Sequence, residues 1–338
     1  MKDGVYEYIN NLKSQMAGLT RNPIVDRFND DMCRLIDREC ATDRFIRQKR
    51  EVILQNLSPA GVDHTDHIQQ AFSIYNEIEL LLYLRTKCNI RDVENEERPT
   101  PDFLVQSKAG GAVNLELYTM FFADSKYSIK TIQDDWLQVN IELEEIRTGK
   151  RENDPPWHSQ NAFRKYGQMG DITRKHIINT LHNKISKTAK QRQMLYQGNP
   201  SILLVDLGAI DYHFFMQEGL PAFVHPYHSA LVSGLFWHLC FGKIGERIME
   251  SPEFPGKPCL HGEIDKQGIL YEHPSIKAMI IGMRWGNEVR MIGLHTASMN
   301  EASVLETLAK TCNFVNNDLN TNYAEIGYDP RTGYIPQS

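Results

Sequence analysis

Asp102 and Glu116 are the residues whose type and spacing first suggest chemistry. They lie in RPTPDFLVQSKAGGAVNLELYTM (98–120), two apolar runs joined by Ser-Lys-Ala-Gly-Gly, one carboxylate in each run. Apolar runs flanking a five-residue link with glycine predict a β-hairpin whose loop is Ser107–Gly111. That register pairs Gln106 with Ala112, Phe103 with Leu115 and Asp102 with Glu116. Side chains alternate along a strand, so Phe103, Val105, Val113, Leu115 and Leu117 share one face. Asp102, Leu104, Asn114, Glu116 and Tyr118 share the other. Carboxylates directly opposed, about 5 Å apart at Cβ, repel each other. A divalent cation between them removes the repulsion, and hard oxygen donors suit Mg²⁺ or Mn²⁺. The other reading of the pair is two polar residues on a solvated sheet face.

A third carboxylate and a group of cations extend the set. In IQQAFSIYNEIELLLYLRTK, Ile74, Ile78, Leu81 and Leu84 recur at helical spacing, and Glu77 falls within that stripe. A carboxylate in a buried stripe needs a partner. Glu79 points away and reads as a solvated charge. In DITRKHIINTLHNKISKTAKQRQMLYQG, Ile178, Leu181, Ile185, Ala189 and Leu195 form an apolar face, bordered by Lys184, Lys187 and Gln191. These three serve either as phosphate-facing groups or as snorkelling border residues. Residues 164–192 hold eight Lys and Arg against one acid, Asp171, so they carry +7 while the rest of the chain sums to −13. The contrast fits a local phosphate-binding surface, or else a solvated face.

Other candidate motifs are weaker. His225, His228, Cys259 and His261 lie at irregular spacing in Pro-rich stretches, as do His64 and His67 in HTDH; none has zinc-site spacing. GKIGER lacks the GK[ST] ending of a P-loop, and SALVSG lacks the G-x-S-x-G of a nucleophile elbow. Trp157, Phe163 and Tyr166 interleave with Arg151, Arg164 and Lys165, a pattern suited to gripping single strands or simply to a packed surface loop.

The elements that must position these residues follow from the rest of the chain. Residues 1 to about 60 read as helices, and LSPAGVDHTDH as a break. After the helix carrying Glu77, CNIRDVENEE holds a short strand ahead of the hairpin. Ile129, Ile132, Trp136, Val139, Leu143 and Ile146 predict an amphipathic helix ending near Gly149. Residues 151–170 form a long loop, and 171–198 a helix capped by Asp171 or Thr173 and closed by Gly198. SILLVDLG reads as a buried strand, and a helix is expected near 228–250. IKAMIIGM and VRMIGLHT add two strands, followed by a helix near 300–315 and an irregular polar tail.

The 338 residues are 41% apolar and 24% charged, with net charge −6, so no global basic field draws the chain to polyanions. The six cysteines form no CxxC pair and read as reduced thiols of a cytoplasmic protein. The N-terminus lacks a signal-peptide apolar region, and the longest apolar stretch is too short to span a membrane.

In order along the chain stand a helix glutamate (Glu77), Pro101-Asp102, an apolar-Glu-apolar strand at Glu116, a Lys/Gln-bearing helix and a buried strand. This order resembles the PD-(D/E)xK nuclease superfamily, over about residues 70–210. The resemblance implies an α/β, restriction-endonuclease-like core: a central mixed β-sheet flanked by helices, plus an N-terminal helical region. The expected divisions are 1–62, a 63–300 core with a helical insertion near 208–270, and a 301–338 helix and tail. The superfamily's lysine two residues after the glutamate is replaced by Tyr118. Variants carry that lysine on the following helix, which Lys187 with Gln191 resembles, with Lys184 behind them. The resemblance implies a Mg²⁺- or Mn²⁺-dependent hydrolase of phosphodiester bonds in nucleic acid, DNA rather than RNA. Asp102, Glu116 and Glu77 would be its metal ligands. Many nucleases of this fold act on duplexes as dimers, so a homodimer is an open expectation. Two alternatives remain: a nuclease-fold module that binds nucleic acid or protein without cutting, and an unrelated α/β enzyme.

Overall fold

The computed structural model describes residues 4–15, 22, 24–58, 65–93, 100–108, 110–121, 138, 141–150, 174–189, 192–209, 222–224, 231–233, 235–246, 262–285, 288–319, 328–329 and 333–334. The chain divides into two units. Unit 1 takes 1–82, 124–168 and 209–211; unit 2 takes 83–123, 169–208 and 212–338. The division at 82/83 places the expected boundary at 62 inside unit 1. Among the described residues no helix is long and apolar enough to cross a membrane.

Unit 1 is helical where described, as expected for the first 60 residues. Helix α1 is Val5–Gln15, α2 Asp30–Glu39, α3 Arg44–Leu57 and α4 Thr65–Arg85, the last three residues of α4 belonging to unit 2. Val5, Ile9 and Leu12 give α1 one buried stripe. Asn29 and Asp43 cap α2 and α3 by accepting the backbone N–H of Met32 and Ile46. Asp37 joins three helices: it accepts Val5 N–H and Tyr6 N–H at 3.0 Å each, and Arg50 Nε at 2.7 Å. Phe28, Phe72 and Tyr75 stack together, and the Tyr75 hydroxyl accepts Asn29 N–H.

Two helical faces differ from expectation. In α4, Ile74 is half-buried while Asn76 and Leu80 are fully enclosed, so burial extends beyond one stripe. In the helical residues 141–147, Glu142 is buried whereas Ile141 and Leu143 are 44% and 49% exposed. The covered face there runs through Glu142, Glu145 and Ile146, rotated away from Leu143.

Unit 2 is built on a seven-stranded mixed sheet in the order β1-β2-β3-β4-β7-β8-β9. The strands are β1 Asn89–Asp92, β2 Phe103–Gln106, β3 Ala112–Thr119, β4 Ser201–Asp206, β7 Ile276–Trp285, β8 Glu288–His295 and β9 Phe314–Asn317. β3/β4, β4/β7 and β8/β9 run parallel; the other neighbours are antiparallel. Every residue of β4 is buried, as its unbroken apolar run requires of a central parallel strand. Helix α5 (Arg174–Ala189) lies in the crossover from β3 to β4, and a 3₁₀ turn, Arg192–Gly198, stands before β4. The expected single helix to 198 therefore ends at Ala189. Gly198, at φ +69°, closes the 3₁₀ turn instead.

Helices cover both faces. On the Glu116 face, Asn114 Nδ2 donates to Tyr196 O at 2.8 Å, seating the 3₁₀ turn. Gly293 belongs by register to the Leu115 face, and a Cβ there would meet Leu308 of α8 (Ala302–Thr311) at 3.1 Å. Of the helix expected near 228–250, the described residues hold α6, Leu235–Phe241, whose seven residues are all buried. Before it, β5 (Ala222–Val224) pairs antiparallel with β6 (Leu231–Ser233). A short helix α7, Ile269–Glu272, follows. The tail is less irregular than expected: β9 is an edge of the main sheet, and β10 (Tyr328–Asp329) pairs with β11 (Gly333–Tyr334).

Candidate active site

The hairpin has the expected register. Phe103 pairs with Leu115, Leu104 with Asn114, Val105 with Val113 and Gln106 with Ala112. Asp102 directly precedes β2, so it falls opposite Glu116 by the same count. Glu116 pairs with Leu203 on its other side and is 5% exposed, in mid-sheet rather than on a solvated face. Asp102 is half-buried. Its Oδ2 accepts the backbone N–H of Leu117 at 2.7 Å. The register would put Pro101 opposite Leu117, but β2 starts only at Phe103. The Asp102 carboxylate thus takes over the ladder where the main chain of β2 leaves it. Tyr118 is half-buried on the Glu116 side, and burial raises its phenol pKa above the usual value.

Glu77 belongs to unit 1. Its Oε2 lies 3.0 Å from Lys49 Nζ, both side chains largely buried. The partner that this acid requires is a lysine of α3, which the sequence pattern does not single out.

Helix α5 buries Ile178, Leu181, Ile185 and Ala189 as expected. Lys184 is half-buried and Lys187 exposed. Gln191 lies outside the described residues, as do Asp171, Thr173, residues 151–170 and His64, His225, His228, Cys259 and His261.

Lys187 lines a cleft of 630 Å³ with His182, Asn183, Ser186, Lys266, Gln267 and Glu272. That described lining includes neither Asp102 nor Glu116. His182 is 3% exposed, with Nε2 2.8 Å from Gln267 O and 3.0 Å from Glu272 Oε2. A carbonyl oxygen only accepts, so Nε2 carries the proton. Nδ1 lies 3.2 Å from the Ser186 hydroxyl. Lys266 Nζ donates to Asn183 Oδ1. Asp265, nearby in sequence, is held by Lys175 at 2.8 Å and Asn179 at 3.2 Å, and the Lys175 bond lowers its pKa.

A further buried acid stands at the end of β4. Asp206 closes β4 with no exposure, its Oδ1 3.0 Å from Arg284 Nη1 and its Oδ2 accepting Gly208 N–H. Register places Asp206 beside Thr119 and Gly282, on the sheet face opposite Glu116. A Cβ on Gly208 would come within 2.9 Å of Oδ2, and one on Gly282 within 3.2 Å of Oδ1, so both glycines give the carboxylate room. An acid ending an apolar run is the signal that marks it.

Among the described residues no group of three or more His, Cys, Asp and Glu side chains is arranged to hold a metal ion. A pair of carboxylates still suits Mg²⁺, which keeps several waters and takes one or two protein carboxylates. In comparisons with known proteins, no family model, curated protein or solved structure matches the chain.

Proposed function

We propose that the chain is a metal-dependent phosphodiesterase acting on nucleic acid, DNA rather than RNA. The observation that carries this reading is the opposition of Asp102 and Glu116 across the β2–β3 hairpin, with Glu116 5% exposed. The order of elements supports it: a helix, the hairpin, helix α5 with its lysines, then the buried strand β4.

Asp102 and Glu116 would hold Mg²⁺ or Mn²⁺. The ion, when bound, supplies the charge that ionises water and neutralises phosphate oxygens. Glu116 stands in mid-sheet, and Asp102 Oδ2 is held by Leu117 N–H. Lys184 or Lys187 would offset the charge that develops on the phosphate, with Gln191 orienting water or phosphate. Glu77 Oε2 pairs with Lys49, so the metal pair proposed here is Asp102 and Glu116.

One observation favours a second reading, a nuclease-fold module that binds without cutting. Lys187 opens on a cleft whose described lining lacks both carboxylates. The deciding experiment incubates the protein with labelled double-stranded DNA, single-stranded DNA and RNA, in Mg²⁺, Mn²⁺ or EDTA. Cleavage that needs metal and disappears in the Asp102→Ala, Glu116→Ala double variant supports the enzyme. No cleavage on any substrate, with no metal uptake by calorimetry, leaves the binding module.

A further inference from the structure

We propose that the cleft between α5 and the 264–273 segment binds a phosphate group. The described lining residues are all of polar or charged type, which fits an ionic ligand. It holds two lysines, Lys187 and Lys266, against one carboxylate, Glu272. Glu272 is met by two imidazoles, His182 at 3.0 Å and His273 at 3.7 Å. With two ammonium groups against one carboxylate, the described lining is net positive. On α5, which contains no acidic residue, Lys175 is engaged by Asp265 and Lys184 is half-buried.

The hydrogen-bonding directions point the same way. Lys266 occupies the Asn183 carbonyl oxygen, so the amide N–H donors are the groups that Asn183 can offer a ligand. Lys266 has further N–H groups beyond that bond, and the Lys187 ammonium is exposed. Lysines and an amide donor converging on one volume form a cradle for anionic oxygens. At 630 Å³ the cleft has the size of a small-molecule site and takes a nucleotide as readily as one phosphate. The phosphate comes from a nucleic-acid backbone or from a free nucleotide. The first source rests on the function proposed above; the phosphate site does not.

The test uses Lys266→Gln, a surface change, and Asn183→Asp, which puts a negative charge in the cradle. Binding of a fluorescent duplex and of its single strand is measured in EDTA across a salt series. Thermal midpoints are measured with inorganic phosphate and with a nucleoside monophosphate. If the source is a backbone, Lys266→Gln weakens oligonucleotide binding and flattens the slope of log K against log salt by about 0.7 to 0.9, one phosphate contact. Asn183→Asp weakens it further. If the source is free, phosphate or nucleotide raises the wild-type midpoint, and both variants lose that rise. Variants that match wild type in both assays overturn the proposal. These readouts need neither Asp102 nor Glu116, so loss of metal-dependent cleavage alone leaves the cleft standing.

Discussion

The Asp102 carboxylate accepts the backbone N–H of Leu117 at 2.7 Å, continuing the β2–β3 ladder past the end of β2. Asp102 therefore has a structural task as well as a proposed chemical one. Asparagine keeps an acceptor oxygen and loses the charge, so it separates the two. Asp102→Ala should lower unfolding free energy by about 2 kcal/mol, the worth of a hydrogen bond to a charged group. Asp102→Asn should stay within about 1 kcal/mol of wild type yet lose metal-dependent cleavage. Urea melts beside the nuclease assay check both. An Asp102→Asn protein that cuts as well as wild type would remove Asp102 from the metal site.

The Asp206–Arg284 pair is the most deeply buried ion pair described, with the carboxylate fully enclosed and the arginine side chain 16% exposed. Removing one partner strands a charge in low dielectric. Arg284→Met should cost about 3 kcal/mol of stability. Lys277 pairs with Glu301 at 3.5 Å with both side chains about one-third exposed. Lys277→Met should cost under about 1 kcal/mol. Equal losses in urea melts would contradict the burial argument.

Lys49 and Glu77 test whether Glu77 is structural. If their contact at 3.0 Å is Glu77's task, the two alanine variants are non-additive. A double-mutant cycle should give a coupling between about 0.5 and 3 kcal/mol. Glu77→Gln should leave the metal concentration for half-maximal cleavage unchanged. A large rise in that concentration would return Glu77 to the metal site.

The hairpin was legible in the sequence because a short loop of known ends fixes the register, and register fixes which side chains oppose. The same local logic found β4 and the pair β7 and β8. It missed β9, since Phe314–Asn317 is only four residues at a sheet edge and shows no apolar alternation. It overextended the helix near 228–250, where Leu231–Ser233 turns out to pair with Ala222–Val224. Partners distant in the chain were beyond its reach. Lys49 for Glu77, Arg284 for Asp206, and Gln267 and Glu272 for His182 are each set by tertiary packing, which periodicity does not encode. His182 and Ser186 stand four apart on α5, a visible spacing, but its meaning came only from the segment packed against it.

His238 supplies a pH prediction. It lies in α6, 1% exposed, and burial lowers its pKa from 6.5 to about 3. Below pH 6.5 the unfolded chain binds a proton that the folded chain refuses. Unfolding is then favoured as pH falls, by up to about 1.4 kcal/mol per pH unit. The contribution of neutral burial is complete above 6.5, shrinks through the window down to about 3, and is gone below it. Carboxylates titrate in part of the same range, so the readout is a difference between two proteins. His238→Leu removes the group, and its stability should fall less steeply than wild type between pH 6.5 and 4.5. The check is urea unfolding of both at half-unit pH steps. Parallel curves across that window would mean that His238 is protonated in the folded protein.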